Sequence, residues 1–122
     1  MLNQQRRIAV TGGAGFIGSH LIDSLIGEGH QVLCIDYYDP QIKWANIAAH
    51  QDNPRFTLTQ SDIRDRNQMR QLFNQHHPEI VIHLAARAGV RPSLKDPFLY
   101  HEVNITGTLN LLDAAVNTGV SK

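Results

Sequence analysis

The stretch Thr11-Gly12-Gly13-Ala14-Gly15-Phe16-Ile17-Gly18 follows directly on the apolar run Ile8-Ala9-Val10, and it constrains this chain more than any other. A short strand runs into glycines, and a helical pattern begins at Gly15. Glycine tolerates the tight turn and leaves no Cβ between the backbone and a bound pyrophosphate. The free N–H groups of the following helix would face those phosphates, with the positive end of its dipole behind them. A glycine triplet alone says little. One placed between a strand and a helix, with an acid ending the next strand, is specific. Asp36 is that acid. It closes Gln31-Val32-Leu33-Cys34-Ile35 at about the 20-residue offset expected of a carboxylate that holds an adenosine ribose. Gly12, Gly15, Phe16, Ile17, Gly18 and Asp36 are therefore read as cofactor-binding. A carboxylate at this place repels a 2′-phosphate, so NAD is expected over NADP.

Periodicity fills in the rest. Arg7 to Thr11 reads as the first strand. Gly15 to Glu28 reads as a helix with Ile17, Leu21, Ile22, Leu25 and Ile26 on one face and Gly29 as its stop. Gln31 to Asp36 is a second strand. A turn at Asp39-Pro40, a helical stretch around Lys43 to His50 and a break at Asn53-Pro54 follow. Arg55 to Thr59 alternates like a strand, and Asp65 caps a helix to about His76 with Met69, Leu72 and Phe73 inward. Glu79 to Ala85 is a fourth strand, apolar without alternation, as in a parallel strand covered on both faces. Ala86 to Pro97 reads as a loop. A last helix runs from Phe98 to Asn117, with Ile105, Leu109, Leu112 and Val116 on one face and Gly119 as its stop. Strands alternating with helices predict an α/β fold, a Rossmann-type doubly wound parallel sheet, as one domain over residues 1–122. The pattern stops after the fourth strand and its following helix.

Composition excludes several classes of function. Lys plus Arg equals Asp plus Glu at 11 each, so no basic excess points to nucleic acid or to an anionic membrane. No run of 18 apolar residues and no secretory h-region is present. Cys34, the one cysteine, lies in an apolar strand and reads as a buried thiol in a cytoplasmic protein. The seven histidines lack metal-ligand spacing, and no metal is expected.

Beyond the glycine turn, the chain carries Asp62-Ile63, His83-Leu84-Ala85-Ala86 and Asn104-Ile105-Thr106-Gly107-Thr108. Together these resemble the extended short-chain dehydrogenases/reductases. More narrowly, Ala88-Gly89-Val90-Arg91-Pro92-Ser93 and Tyr37-Tyr38-Asp39-Pro40 resemble nucleotide-sugar 4-epimerases acting on UDP-glucuronate. The resemblance implies NAD as cofactor, a UDP-sugar as substrate, and transient oxidation of the sugar at C4. It also implies that Asp62 and Ile63 meet the adenine ring and that Asn104 supports the active-site region. In such enzymes a tyrosine, with a lysine four residues later, removes the hydroxyl proton. No Tyr-x-x-x-Lys occurs here. The chain is thus expected to be the N-terminal, cofactor-binding portion of an epimerase, with no catalytic residue of its own and inactive alone. Two alternatives stay open: a portion of a nucleotide-sugar 4,6-dehydratase, and a non-catalytic NAD-binding module. Relatives carry a few more residues between the acid and the Tyr-Tyr-Asp stretch, whereas here Asp36 runs directly into Tyr37.

Ligands of such sheets bind beyond the carboxyl ends of the strands. Leu84, Ala85 and Ala86 end the fourth strand, where small residues let the backbone approach a cofactor. Arg87 and Arg91 follow, and an arginine there can pair with a phosphate or with the carboxylate of a uronic acid. A fourth strand without a fifth beside it is an exposed, apolar edge. A homodimer is expected, formed by antiparallel pairing of fourth strands, with dimerisation through the last helix as the rival.

Overall fold

The computed structural model describes residues 4–37 and 40–122. Four parallel strands make one sheet: β1 (Arg7–Thr11), β2 (Gln31–Asp36), β3 (Phe56–Gln60) and β4 (Ile80–His83), in the spatial order β3-β2-β1-β4. The chain steps outward from β1 through α1 (Phe16–Gly27) to β2, then through α2 (Pro40–Ile47) and a 3₁₀ turn (Ala48–His50) to β3. It returns by α3 (Arg66–His76) to lay β4 on the opposite side of β1. This is the predicted doubly wound, Rossmann-type α/β arrangement. The predicted Asp39–Pro40 turn falls partly outside the described residues.

The period of two along β1 divides the core. Ile8 and Val10 face α1 and α2 and pack with Ile22, Ile26, Cys34 and Ile47. Ala9 faces the other way, among Leu33, Ile35, Met69, Phe73 and Leu111. Both layers close because α1 and α3 end cleanly. Gly29 (φ 91°) follows α1, and His77 (φ 48°) takes the left-handed position after α3. Asp65 caps α3 by accepting from the Gln68 N–H at 3.1 Å.

Three regions depart from expectation. The stretch 86–97, predicted as a loop, winds into α4 (Val90–Lys95). Pro92 sits in its first turn, where the missing N–H has no partner to lose. β4 is shorter than predicted and only partly buried rather than covered on both faces. Its outer edge is also not free along its length. Val81 N–H donates to the Lys122 carbonyl and Ser121 N–H to the Glu79 carbonyl, both at 2.9 Å, so residues 121–122 lie along its first half.

The third departure is the last helix. It runs unbroken from α5 (Pro97–His101) through a π-helical turn (Glu102–Thr106) into α6 (Gly107–Thr118). The apolar row that sequence periodicity picks out faces solvent: Ile105, Leu109, Leu112 and Val116 are 58–82% exposed. The buried stripe is Gly107, Asn110, Leu111 and Ala114 instead. Small residues let the helix sit close, and the Asn110 amide donates to the Ile63 and Arg64 carbonyls at 2.9 and 3.0 Å. Ile17 likewise belongs to the apolar pattern of α1 yet is 71% exposed at the helix start.

Candidate functional site

β1 is the strand at which the winding reverses, and crevices form beyond the carboxyl ends of strands at such a reversal. A groove of about 540 Å³ opens there. The glycine turn contributes Gly12, Gly15, Phe16, Ile17 and Gly18 to its wall. Asp36 enters from the end of β2, and Asp62 and Ile63 from the segment after β3. Leu84, Ala85, Ala86 and Arg87 enter from the segment after β4. Asn104 and Arg91 are outside the lining.

Two glycines are dictated by close approach. Gly12 has φ 69°, and a Cβ there would stand 2.8 Å from the Ala85 backbone nitrogen. A Cβ on Gly18 would run into the Gly12 carbonyl oxygen and stand 2.7 Å from Gly13 Cα. Helix α1 therefore rests directly on the turn. Its N-cap, Gly15, offers no side-chain acceptor, and the first turn carries no acid. The opening N–H groups of α1 are left to point at the groove with the helix dipole behind them.

The turn is gripped from both sides at Ala14. Its N–H donates to Asp36 Oδ2 at 2.9 Å, and its carbonyl accepts from the Asn46 amide of α2 at 2.9 Å. Asp36 is 5% exposed, and the Lys43 ammonium stands 4.0 Å from its other oxygen, Oδ1. Asp62 is clasped by Arg64, which approaches it through Nη2 at 2.6 Å and through its backbone N–H at 2.9 Å. This guanidinium holds the Asp62 carboxyl below its ordinary range. Arg64 also reaches Glu102 at 3.5 Å, tying the loop after β3 to the last helix.

A relay of hydrogen bonds fixes the wall beyond β4. The Thr11 hydroxyl oxygen accepts from the Leu84 and Ala85 N–H groups at 3.0 and 3.1 Å. Both its acceptor positions are then used, so its proton goes to His83 Nδ1, 2.6 Å away. His83 is therefore the neutral tautomer with its proton on Nε2, which donates to Thr108 Oγ1 at 2.9 Å. The Thr108 hydroxyl donates onward to the Asn104 carbonyl at 2.7 Å. Burial pushes the His83 imidazole below its ordinary pKa and keeps it neutral. The relay joins β1, β4 and the last helix, and the Leu84 N–H is shared between the Thr11 hydroxyl and the Thr11 carbonyl, 3.1 Å away.

The Asn104 side chain grips both backbone groups of Arg87, accepting from its N–H at 2.8 Å and donating to its carbonyl at 3.1 Å. Tyr100 OH donates to the Ala88 carbonyl at 2.7 Å, and the Arg87 guanidinium lies 5.9 Å from the Tyr100 ring centre. Asn104 thus positions the segment that carries Arg87. Arg91 projects from α4 into solvent. Cys34 takes no part in the site. It is buried in the core, and its thiol is pushed up to about 12.

Sequence reasoning missed Lys43 and Arg64. Lys43 shares a helix face with Asn46, three residues on, and so faces the turn that Asn46 grips. That signal needs α2 to be placed over the turn first. Arg64 stands two residues after Asp62, a spacing at which a backbone N–H and a side chain reach the same carboxylate.

Comparison with known proteins places these features in a family. The family described as GDP-mannose 4,6 dehydratase matches residues 9–122. The UDP-glucuronate 4-epimerase of Thermodesulfobacterium geofontis is 42% identical over 117 residues, covering 93% of this chain and 36% of that protein. The UDP-glucose 4-epimerase of Thermotoga maritima, solved with UDP-glucose, superposes with a TM-score of 0.84 at 39% identity, covering 93% of this chain and 35% of its own. That of Thermus thermophilus, solved in complex with NAD, gives a TM-score of 0.82 at 38% identity with the same coverage. The chain spans about a third of the length of these relatives.

Proposed function

The chain belongs to the GDP-mannose 4,6 dehydratase family, and from that membership we propose that it is the NAD-binding portion of a nucleotide-sugar epimerase of the UDP-glucuronate 4-epimerase kind. NAD is a cofactor of this family. One observation carries the reading: the uncapped N-terminus of α1 and its glycine turn open onto a groove of about 540 Å³ with a carboxylate at the end of β2. A pyrophosphate would meet the first N–H groups of α1, and a ribose hydroxyl would meet Asp36 Oδ1. Asp62 and Ile63 would take the adenine end, and Leu84, Ala85 and Ala86 would let the nicotinamide end lie close to the backbone.

Bound NAD would supply a reversible acceptor for the hydrogen at C4 of the sugar. The chain's own residues bind and orient. Arg87 lines the groove and would meet a substrate phosphate or carboxylate, while Asn104 holds its backbone. No Tyr-x-x-x-Lys occurs in these 122 residues, so the chain alone is expected not to interconvert UDP-sugars. Self-association belongs to the same reading. The solvent-facing row from Ile105 to Val116 supports pairing through the last helix better than pairing through β4, whose edge is half covered.

Titration of the ¹⁵N-labelled chain with NAD tests the cofactor reading. Saturable shifts at the amides of residues 15–18, 36 and 84–86 are expected. Shifts confined to other regions, or none at millimolar NAD, would refute it.

A further inference from the structure

We infer that a cleft at the amino end of the sheet, on the face that α3 covers, binds a small tetrahedral oxyanion: free phosphate or the phosphate head of a monoester. The cleft lies at the opposite end of the strands from the groove, so it stands whether or not the groove binds a dinucleotide.

The register of the sheet builds the site. Arg7 of β1 pairs with Gln31 of β2. Val32 pairs with Phe56, so Arg55, one residue earlier, falls beside Gln31. Side chains in register share a face. Here it is the face of Leu33, which packs among Met69 and Phe73 of α3. Arg7 and Arg55 thus stand two strand spacings apart, about 9–10 Å, with an amide between them. An oxyanion that accepts N–H···O bonds of about 2.8 Å from a guanidinium on either side fills a gap of that order.

Thr57 follows on the same face, and His76 closes the row from the last turn of α3. These five polar side chains line a cleft of about 140 Å³. Each can donate a hydrogen bond, and among the described residues no carboxylate lines the cleft. A cleft this small takes a phosphate group rather than a whole nucleotide, since pockets for larger ligands run to about 300–1,000 Å³.

Charge and anchoring agree. Arg7 is held by its Nε, which donates to the His77 carbonyl at 2.8 Å. Its Nη1 stands 3.6 Å from Glu79, but that carboxylate also accepts from Arg6 Nη1 at 3.1 Å and from the Arg7 backbone N–H at 3.2 Å. One carboxylate therefore faces two guanidiniums. Arg55 has no ion-pair partner among the described residues. Its Nη1 lies 3.5 Å from the place a Gly29 Cβ would take, so the guanidinium leans toward the turn that enters β2. Pro54 and Pro78 also line the cleft, and their fixed φ sets the donors before a ligand arrives.

Titrating the ¹⁵N-labelled chain at constant ionic strength with sodium phosphate, and separately with glycerol 3-phosphate, tests this. Saturable shifts are expected at amides 7–8, 31–33, 55–57 and 76–77 and at the Arg7 and Arg55 Nε groups, with a Kd of about 10 mM or tighter. The tighter ligand identifies the source, free or esterified, and either supports the site. Arg55→Gln should weaken binding by about tenfold or more. Arg66→Gln removes the same charge beside Asp113, away from the cleft, and should leave binding unchanged. A loss under about threefold in Arg55→Gln, or equal losses in both variants, would overturn the inference. So would shifts confined to residues 12–18, which report phosphate at the groove, or no saturation by about 50 mM phosphate.

Discussion

Gly18 and Gly27 lie in the same helix, and replacing each by alanine should move stability in opposite directions. An alanine inside a helix ordinarily gains about 0.5–1 kcal/mol over glycine, because the unfolded glycine has more freedom to lose. At Gly27 a Cβ meets nothing within 4 Å, so Gly27→Ala should gain toward the lower end, about 0.5 kcal/mol at a helix terminus. At Gly18 the added Cβ collides with the Gly12 carbonyl oxygen and stands 2.7 Å from Gly13 Cα. Both obstacles are backbone, so no rotamer change relieves them. Either α1 lifts or the turn moves, and the turn is held by Gly12 N–H to the Ile35 carbonyl and by Ala14 N–H to Asp36, each at 2.9 Å. Overpacking of about 1–3 kcal/mol, with about 1 kcal/mol for each loosened hydrogen bond, outweighs the helix gain. Gly18→Ala should therefore cost about 2–4 kcal/mol and lower the melting temperature by roughly 10 °C. Urea and thermal unfolding followed by circular dichroism would measure both variants against the parent. A Gly18→Ala variant as stable as the parent would refute the argument that α1 rests on the turn without slack.

The folded state holds His83 below its ordinary value of 6.5, so stability is fully present above that pH and is lost as pH falls through it toward the folded value. His83→Gln should flatten that dependence between about pH 8 and pH 5 in urea titrations, and an unchanged slope would remove the relay from the account. Asp113 is held below 3.8 by the Arg70 guanidinium, 2.7 Å away, so its contribution is present above that pH and fades as pH drops through the lower folded value. Asp113→Asn should lower the unfolding midpoint slightly at neutral pH and low salt, with the difference shrinking in high salt. Light scattering should find a dimer that Leu112→Glu dissociates without unfolding, since Leu112 is 59% exposed; an unchanged dimer would return attention to the open half of the β4 edge.

The strands were legible because each is a short apolar run ended by glycine, proline or an acid, and both faces of a parallel sheet demand such runs. Helix α3 was legible through its Asp65 cap and its inward Met69, Leu72 and Phe73. The last helix misled because hydrophobic periodicity identifies an apolar face and not its partner. Its buried side is built from Gly107, Asn110, Leu111 and Ala114, of which Leu111 alone is strongly apolar, while its longer apolar row faces water. The site divides the same way. The glycine turn and Asp36 announce themselves because backbone geometry dictates the residue type. Lys43 and the grip of Asn104 on Arg87 do not, because each depends on how one helix is set against a distant turn. The same holds just past β4, where the hydroxyl of Thr11, 73 residues from Leu84 in the chain, accepts from the Leu84 N–H.

The π-helical turn at Glu102–Thr106 lets one rod carry two registers. A π turn spends one residue more per turn than an α-helix, so every position after it is rotated by about 100° relative to an uninterrupted helix. Upstream of the shift, Tyr100 serves the segment after β4; downstream, Gly107, Asn110 and Ala114 serve the sheet and α3. A single-residue deletion within 102–106 would leave a smooth α-helix of almost the same sequence and the same hydrophobicity. One half of the molecule or the other would then lose its partner: either the Asn104 grip on Arg87 or the Asn110 hold on Ile63 would swing out of reach. The most sensitive lesion in this helix is thus one of phase, and no substitution can mimic it.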